Sequence, residues 1–258
     1  MGMDFHNLKN SHTYTTRNAD TSWINTIKKL VPIKQLTSAL DIGCGGGIYS
    51  KALADLGVTS VTAVDYSEAI LAGARENCKD YHNISFKKGN ALQTGLESNH
   101  FDFLLERALI HHLDDLSGCF EEAYRLLKNN GYLIIQDRTP EDCLLKGDAS
   151  HIRGYFFEQF PKLIEKETNR RHQIKKVREM LRDSGFREIQ EFKLWETRKV
   201  YAHKTKLLED LRDRTGRSIL HELNDIELES LINFIDGQIP NENTIVEKDR
   251  WTIWKAVK

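Results

Sequence analysis

The sequence predicts a doubly wound α/β fold built on a mostly parallel sheet. Short apolar segments alternate with amphipathic helical periods between positions 39 and 136, and the first apolar segment ends in a glycine-rich turn. This alternation is typical of βαβ units, in which helices connect parallel strands. The chain has 258 residues, which is enough for one such domain with insertions.

The first half of the chain follows this rhythm closely. We predict strands over 39–42, 61–64, 84–86, 101–105 and 132–136, and helices over 21–30, 48–56, 67–79 and 116–127. Ser67 can cap the start of its helix with its side-chain oxygen. Gly57 and Gly131 stand at or just beyond helix ends, where glycine is favoured.

The second half is less regular. Residues 138–171 show no clear periodicity, and beyond them we predict a helix over 174–184, a strand over 189–195, helices over 204–214 and 225–236, and a last strand over 250–257. We interpret 1–36 as an N-terminal helical segment or lid and 37–258 as the main domain. Insertions at 138–171 and 201–240 are the candidates for a substrate lid.

The composition limits the kinds of molecule with which we expect the protein to interact. The formal net charge is −1, without the basic excess of a general nucleic-acid binder, and no apolar stretch approaches the length of a membrane span. The four cysteines are widely spaced and fit neither a zinc site nor a disulfide framework. We therefore expect a cytoplasmic monomer or homodimer that acts on a small molecule, with no nucleic-acid, membrane or metal partner.

The glycine turn after the first strand is the strongest candidate site. Gly43 and Gly45 belong to the pattern Asp-x-Gly-x-Gly-x-Gly, which begins at Asp41. A dinucleotide fold prefers G-x-G-x-x-G, and Ile48 occupies the place of its third glycine. A carboxylate at Asp41 would repel a pyrophosphate but suits the ammonium group of S-adenosylmethionine. The alternative is that Asp41 merely caps local backbone donors.

The second strand ends in another candidate pair. Asp65 lies about twenty residues beyond the glycines, where a carboxylate can accept both ribose hydroxyls of a nucleoside. Tyr66 follows it and can lie against an adenine ring. The alternatives are an ordinary turn aspartate and a packing tyrosine.

Five segments in a fixed order carry a family resemblance. They are LDIGCGGG, VTAVDYSEAIL, KKGNA, FDFLLERALIHHLDD and LLKNNGYLIIQD, within residues 38–138. Together they resemble the class I S-adenosylmethionine-dependent methyltransferases, especially the small-molecule group that includes the ubiquinone and menaquinone biosynthesis enzymes. The resemblance implies a seven-stranded sheet with an antiparallel last strand, and S-adenosylmethionine across the carboxyl ends of strands one, two and four.

The resemblance also implies residue roles. Asp41, Gly43 and Gly45 would contact the methionine end, Asp65 would hold the ribose, and Asn90 with Ala91 would meet the adenine. The family often has aspartate in place of Asn90, so the hydrogen-bond pattern must differ there. It often has a small polar pair in place of Glu106-Arg107. The methionine amine could be held by a carbonyl or by Glu106, and Arg107 could instead face the substrate.

Catalytic candidates are fewer. His111 follows strand four and could act as a base, since an unperturbed imidazole titrates near neutral pH. Packing or local hydrogen bonding is the alternative.

In related enzymes an N-terminal segment folds over the cofactor. Tyr14 could therefore flank the methyl-transfer site and Arg17 could pair with the methionine carboxylate, unless this stretch is a solvated leader.

Arginines after strand five suggest an anionic substrate. Arg138 and Arg153 lie in the region that follows the strand, and a guanidinium suits a carboxylate or phosphate. An ion-paired surface is the alternative explanation.

Three functions remain open: an active methyltransferase, a non-catalytic S-adenosylmethionine-binding protein, and an NAD-dependent oxidoreductase, which Asp41 and Ile48 disfavour.

Overall fold

A computed structural model describes residues 18–240 and 244–258 of the chain. Seven strands form one sheet: β1 (Ser38–Ile42), β2 (Ser60–Asp65), β3 (Ile84–Lys88), β4 (Phe101–Arg107), β5 (Leu127–Asp137), β6 (Arg187–Tyr201) and β7 (Ile245–Val257). Their order is β3-β2-β1-β4-β5-β7-β6. β1 to β5 run parallel, and β7 runs antiparallel to β5. The predicted doubly wound sheet with an antiparallel last strand is confirmed.

Ten α-helices accompany these strands in the described residues. They are α1 (Thr21–Leu30), α2 (Ile48–Asp55), α3 (Glu68–Asn77), α4 (Leu116–Leu126), α5 (Pro140–Cys143), α6 (Ile152–Gln159), α7 (Lys162–Thr168), α8 (Ile174–Asp183), α9 (Lys204–Arg212) and α10 (Asp225–Gln238). Ser67 caps α3 as predicted, because its hydroxyl accepts a hydrogen bond from the Ile70 N–H. Across residues 18–240 and 244–258, no helix has both the length and the hydropathy needed to span a membrane.

The described chain divides into two compact units. The sheet unit contains residues 18–137, 173–193 and 252–258, and the helical unit contains 138–172, 194–240 and 244–251. The core of the sheet unit is buried between the strands and their helices, with Leu40, Leu104 and Phe120 fully inaccessible. The helical unit has an apolar core of its own, to which Phe156 and Leu231 contribute.

Several predicted boundaries were wrong. Residues 138–171 contain α5, α6 and α7, where we expected irregular structure. The short helix α5 begins with a capping box, in which Thr139 and Asp142 satisfy each other's backbone N–H groups. β6 and β7 are both longer than predicted. β5 begins at Leu127, and Asn130 within it adopts φ of 65° beside a register shift in the β4–β5 pairing.

Candidate cofactor and active site

The glycine turn leaves β1 and enters α2 through three left-handed residues. Gly43, Gly45 and Gly47 have φ of 71°, 54° and 76°, a region in which residues with a Cβ are strained. The backbone N–H groups of Gly43 and Cys44 donate to the Val64 carbonyl at 2.8 and 3.0 Å. The turn is therefore held against the end of β2, and its glycines are required by backbone geometry.

Asp65 ties this turn to the next helix. Its Oδ2 accepts a hydrogen bond from the Gly45 N–H at 3.0 Å, and its Oδ1 accepts one from the Ser67 N–H at 2.9 Å. Burial raises the pKa of the Asp65 carboxyl, while these backbone donors oppose that shift. Asp65, which we predict to bind the ribose, thus also organises the loop that would hold the cofactor.

Asp41 is almost completely buried at the end of β1. Its Oδ2 accepts a 2.6 Å hydrogen bond from the Ser50 hydroxyl on α2. Burial raises the pKa of Asp41 to about 6, although the Ser50 hydrogen bond and the charge of Arg107 act in the opposite direction. Sequence reasoning missed Ser50, whose only signal is its place in the first turn of α2. The Arg107 guanidinium lies 4.1 Å from the centre of the Tyr49 ring.

The Glu106 side chain takes a different direction from the one that we expected. It is fully buried, and its Oε1 accepts from the Cys119 thiol at 3.4 Å, on the side of α4. Burial raises the pKa of Glu106 to about 8, so this carboxyl is mostly protonated at neutral pH. Strand alternation explains the result, because Glu106 and Arg107 must face opposite sides of β4. A neutral, buried side chain is unsuited to hold the methionine amine, so Asp41 and a backbone carbonyl remain the candidates for that role.

The predicted adenine residues follow β3 and β2. Asn90 is fixed in a turn, since its Oδ1 accepts from the Leu92 N–H at 2.9 Å, and Ala91 packs into the core of the sheet unit. Tyr66 has 61 % of its surface exposed beside Asp65. The Gly89 N–H donates to the Asp65 carbonyl at 3.0 Å, which brings the two loops together.

His111 and Asp137 form a close pair at the ends of neighbouring strands. The His111 Nδ1 lies 3.0 and 2.8 Å from the two carboxylate oxygens of Asp137, and the His111 backbone N–H donates to Oδ2 at 3.2 Å. Asp137 is buried and the imidazole is nearly so. Sequence reasoning singled out His111 but not Asp137, whose signal is a carboxylate at the end of an apolar strand adjacent to β4.

The two predicted substrate arginines both lie in the helical unit and are both ion-paired. Arg138 donates to Asp249 at 2.6 Å, with its guanidinium 4.3 Å from the Trp251 ring centre. Arg153 lies 2.7 Å from a Glu167 carboxylate oxygen. Tyr14 and Arg17 lie outside the residues that the structure describes.

These positions fit a nucleoside that bears an amino acid. The glycine turn, Asp65 and Asp137 end β1, β2 and β5, and β4 lies between β1 and β5. This is the point at which strand order reverses, where ligands of open α/β sheets bind. The turn would hold the methionine end of S-adenosylmethionine and Asp65 its ribose.

A family model described as a methyltransferase domain matches residues 40–135. This stretch runs from the glycine turn to the strand that carries Asp137. Residues 40–135 are therefore a methyltransferase domain, and the chain is similar to S-adenosylmethionine-dependent methyltransferases. S-adenosylmethionine is accordingly its cofactor, and the matched stretch contains most of the residues that we predict to bind it.

Individual proteins that are similar in sequence are also named as methyltransferases. The chain is 27 % identical over 181 residues to the demethylmenaquinone methyltransferase of Listeria welshimeri, which covers 64 % of this chain and 76 % of that enzyme. It is 30 % identical to the Listeria monocytogenes enzyme of the same name over 52 % of this chain, and the match spans only 57 % of that enzyme.

Among solved structures, a Haemonchus contortus phosphoethanolamine N-methyltransferase in complex with S-adenosylhomocysteine matches with a TM-score of 0.60 at 19 % identity. The match covers 99 % of this chain and 60 % of that protein. At this identity the likeness supports the fold alone.

Proposed function

We propose that this methyltransferase transfers a methyl group to a hydroxyl or carbon acceptor on a small molecule. One observation supports this most strongly. The cofactor loop at β1, the ribose carboxylate at β2 and the His111–Asp137 pair at β4 and β5 all belong to the sheet unit and lie at the ends of successive neighbouring strands. The residues expected for cofactor binding and for proton transfer are thus arranged along one edge.

Methyl transfer demands little chemistry from the protein. When bound, S-adenosylmethionine would supply a methyl group on a sulfonium, and the sulfur would leave as a neutral thioether that needs no protonation. The chain must hold the acceptor in line and exclude water, and alignment of this kind contributes about 7–11 kcal/mol in well-oriented intramolecular reactions. Asp65 and the glycine turn fix one reactant for this purpose.

The His111–Asp137 pair gives the protein a base for acceptors that need one. If the Nδ1–H of the imidazole donates to Asp137, the basic lone pair is on Nε2. Asp137 then also stabilises the imidazolium that forms when a proton is taken up. A hydroxyl or a carbon acid requires such a base, whereas a thiolate or carboxylate does not. The pair therefore favours a hydroxyl or carbon acceptor.

The curated relatives suggest a test compound. They are named for demethylmenaquinone, whose reduced ring is weakly acidic and would need a base of this kind. Arg138 and Arg153, which the sequence suggested for an anionic acceptor, are both ion-paired within the helical unit, so a negative charge on the acceptor stays a prediction from the sequence. On the basis of the relatives, we favour a ring-bearing or similarly acidic small molecule.

A labelled-methyl assay tests the proposal. The chain would be incubated with methyl-labelled S-adenosylmethionine and either demethylmenaquinol or a panel of hydroxyl, thiol and amine compounds, each with and without a carboxylate. We expect label in a hydroxyl- or carbon-bearing compound. His111→Gln should lower kcat by roughly 10²–10⁴ and leave the Kd for S-adenosylhomocysteine unchanged.

His100→Gln is the matched control, because His100 is an exposed histidine of the same unit. It should leave kcat unchanged. Equal rates in the His111→Gln and His100→Gln proteins would refute the assignment of the base. Label that appears only in thiols or carboxylates would contradict the proposed acceptor class.

A further inference from the structure

Arg107 ends β4 on the same face of the sheet as Asp41. Asp41 pairs in register with Leu105 on β4, and Arg107 follows Leu105 by two residues. Because side chains alternate along a strand, all three project toward one side of the sheet. This is the side of α2, where the Ser50 hydroxyl donates to Asp41. The sequence suggested Arg107 for the acceptor, but its side chain lies on the face that carries Asp41.

The segment that follows Arg107 packs against the glycine turn. A Cβ added to Gly43 would lie 2.9 Å from Cδ1 of Leu109, so the turn after β1 and the segment after β4 are in direct contact. Both belong to the sheet unit. Arg107 is half-buried at this junction, between the fully packed strand and the surface.

Two aromatic rings support the Arg107 side chain. The centre of the Tyr49 ring lies 4.1 Å from the guanidinium carbon, which is the range of a cation–π contact. Trp23 on α1 is fully buried and packs edge-on against Tyr49, with 4.8 Å between the ring centroids. Tyr49 is thereby fixed by α1, and it in turn limits the directions that the guanidinium can take.

The guanidinium is also within electrostatic range of the Asp41 carboxylate. Burial has the largest influence on the pKa of Asp41 and raises it, whereas the positive charge of Arg107 lowers it. The negative charge of Asp65 acts in the same direction as burial. The ends of β1, β2 and β4 therefore present a cation together with two carboxylates.

The methionine end of the cofactor carries both signs of charge, an ammonium and a carboxylate on one carbon atom. Asp41 complements only the ammonium. A carboxylate that enters beside Asp41 is repelled unless a cation accompanies it, and the fork of a guanidinium matches a carboxylate in geometry. A guanidinium has five N–H donors, so Arg107 can bind a carboxylate alongside the contacts that it makes within the protein.

We propose that Arg107 binds the carboxylate at the methionine end of S-adenosylmethionine, and that Tyr49 is a positioning residue for this contact. Asp41 and Arg107 then recognise the two charges of the amino acid from one face of the sheet. The sequence suggested this role for Arg17, which lies outside the described residues. The inference rests on the proposed function only in using the cofactor site at the glycine turn, and it is independent of the acceptor class.

Calorimetric titration with two matched ligands tests the assignment. S-adenosylhomocysteine has the carboxylate, and decarboxylated S-adenosylhomocysteine lacks it but keeps the ammonium, the thioether and the nucleoside. We expect the parent to bind S-adenosylhomocysteine at least tenfold more tightly than the decarboxylated ligand. In Arg107→Gln this preference should fall to within twofold, because only the Kd for S-adenosylhomocysteine rises. Arg107→Lys keeps the charge but not the fork, so it should retain part of the preference.

Tyr49→Leu tests the positioning role, because it removes the ring and leaves the guanidinium in the protein. Its preference for S-adenosylhomocysteine should be at least threefold smaller than that of the parent. This variant gives a result even if Arg107→Gln fails to fold. Arg178→Gln is the matched control, because Arg178 is an exposed arginine of the same unit, paired with Glu191. It should keep the full preference of the parent.

Three results would overturn the proposal, and they differ in what else they contradict. Equal affinities of the parent for the two ligands would show that the carboxylate is not recognised, while the cofactor site would stand. An equal loss for both ligands in Arg107→Gln would show that Arg107 only supports the site. A parent that binds neither ligand would contradict the cofactor site at the glycine turn itself.

Discussion

The protonation of Asp41 should control the affinity for the cofactor product. S-adenosylhomocysteine carries an ammonium group over the range from pH 5 to pH 7, and we predict that this group is stabilised by the Asp41 carboxylate. Burial raises the pKa of Asp41 to about 6 in the free protein. Acidification through this pKa neutralises the carboxylate, so binding should weaken as the pH falls.

The magnitude follows from the ionised fraction of Asp41. With a pKa of about 6, roughly nine-tenths of the carboxyl is ionised at pH 7 and roughly one-tenth at pH 5. If only the ionised form binds well, Kd rises about tenfold between these pH values, which corresponds to about 1.4 kcal/mol. Asp41→Asn should bind weakly and show little of this dependence.

Calorimetric titration at pH 5, 6 and 7 provides the measurement, and adenosine provides the control ligand. Adenosine has the ribose but no ammonium group, so it reports any titration of Asp65 without that of Asp41. The reasoning is refuted if adenosine and S-adenosylhomocysteine show the same pH dependence. It is also refuted if Asp41→Asn retains the tenfold change.

Two further variants test the interior of the sheet unit. Glu106 has a pKa raised from 4.5 to about 8, so the folded state retains a proton that the unfolded state loses, and stability falls as pH rises through this interval. Between pH 5 and pH 7, the unfolding free energy of the parent in denaturant titrations should fall by about 2 kcal/mol relative to that of Glu106→Gln. If the free-energy difference between the two proteins is the same at both pH values, the raised pKa is contradicted. Gly47→Ala should cost about 2–4 kcal/mol, because φ is 76° and the new Cβ would lie 2.6 Å from Cys78 Sγ. Gly57→Ala, with φ of 97° and no atom within 4 Å of its Cβ, should cost only about 1–2 kcal/mol, and equal Tm losses would exclude the clash.

The regular half of the fold was predictable because its signals are local. Alternating apolar segments, the Ser67 cap and the glycine turn each depend on a few adjacent residues, and the structure places β1 to β4 close to the predicted bounds. The region from 138 to 171 was not predictable in this way. Its helices are short, and Arg153 within α6 is stabilised by Glu167 on α7, a contact that no periodicity reveals.

The site was predictable to the extent that it follows strand ends. Asp41, Asp65 and His111 could be located because each lies next to an apolar strand. The pairing of Asp137 with His111 was missed, because it depends on β4 and β5 being neighbours in the sheet. The burial of the Glu106 side chain was missed because the predicted strand ended at residue 105, two residues before the end of β4 at Arg107.

Titration of S-adenosylhomocysteine into the parent and two Asp65 variants tests the assigned cofactor site most directly. We predict saturable binding by the parent. Asp65→Ala removes the two charge-assisted hydrogen bonds that the carboxylate would accept from the ribose hydroxyls, and it also removes the hydrogen bonds that hold Gly45 and Ser67. It should therefore weaken binding by about 3 kcal/mol or more, at least a hundredfold. Asp65→Asn, which keeps one acceptor oxygen, should bind with intermediate affinity. A parent that does not bind S-adenosylhomocysteine, or an Asp65→Ala protein that binds it as tightly as the parent, would contradict the cofactor site at the glycine turn.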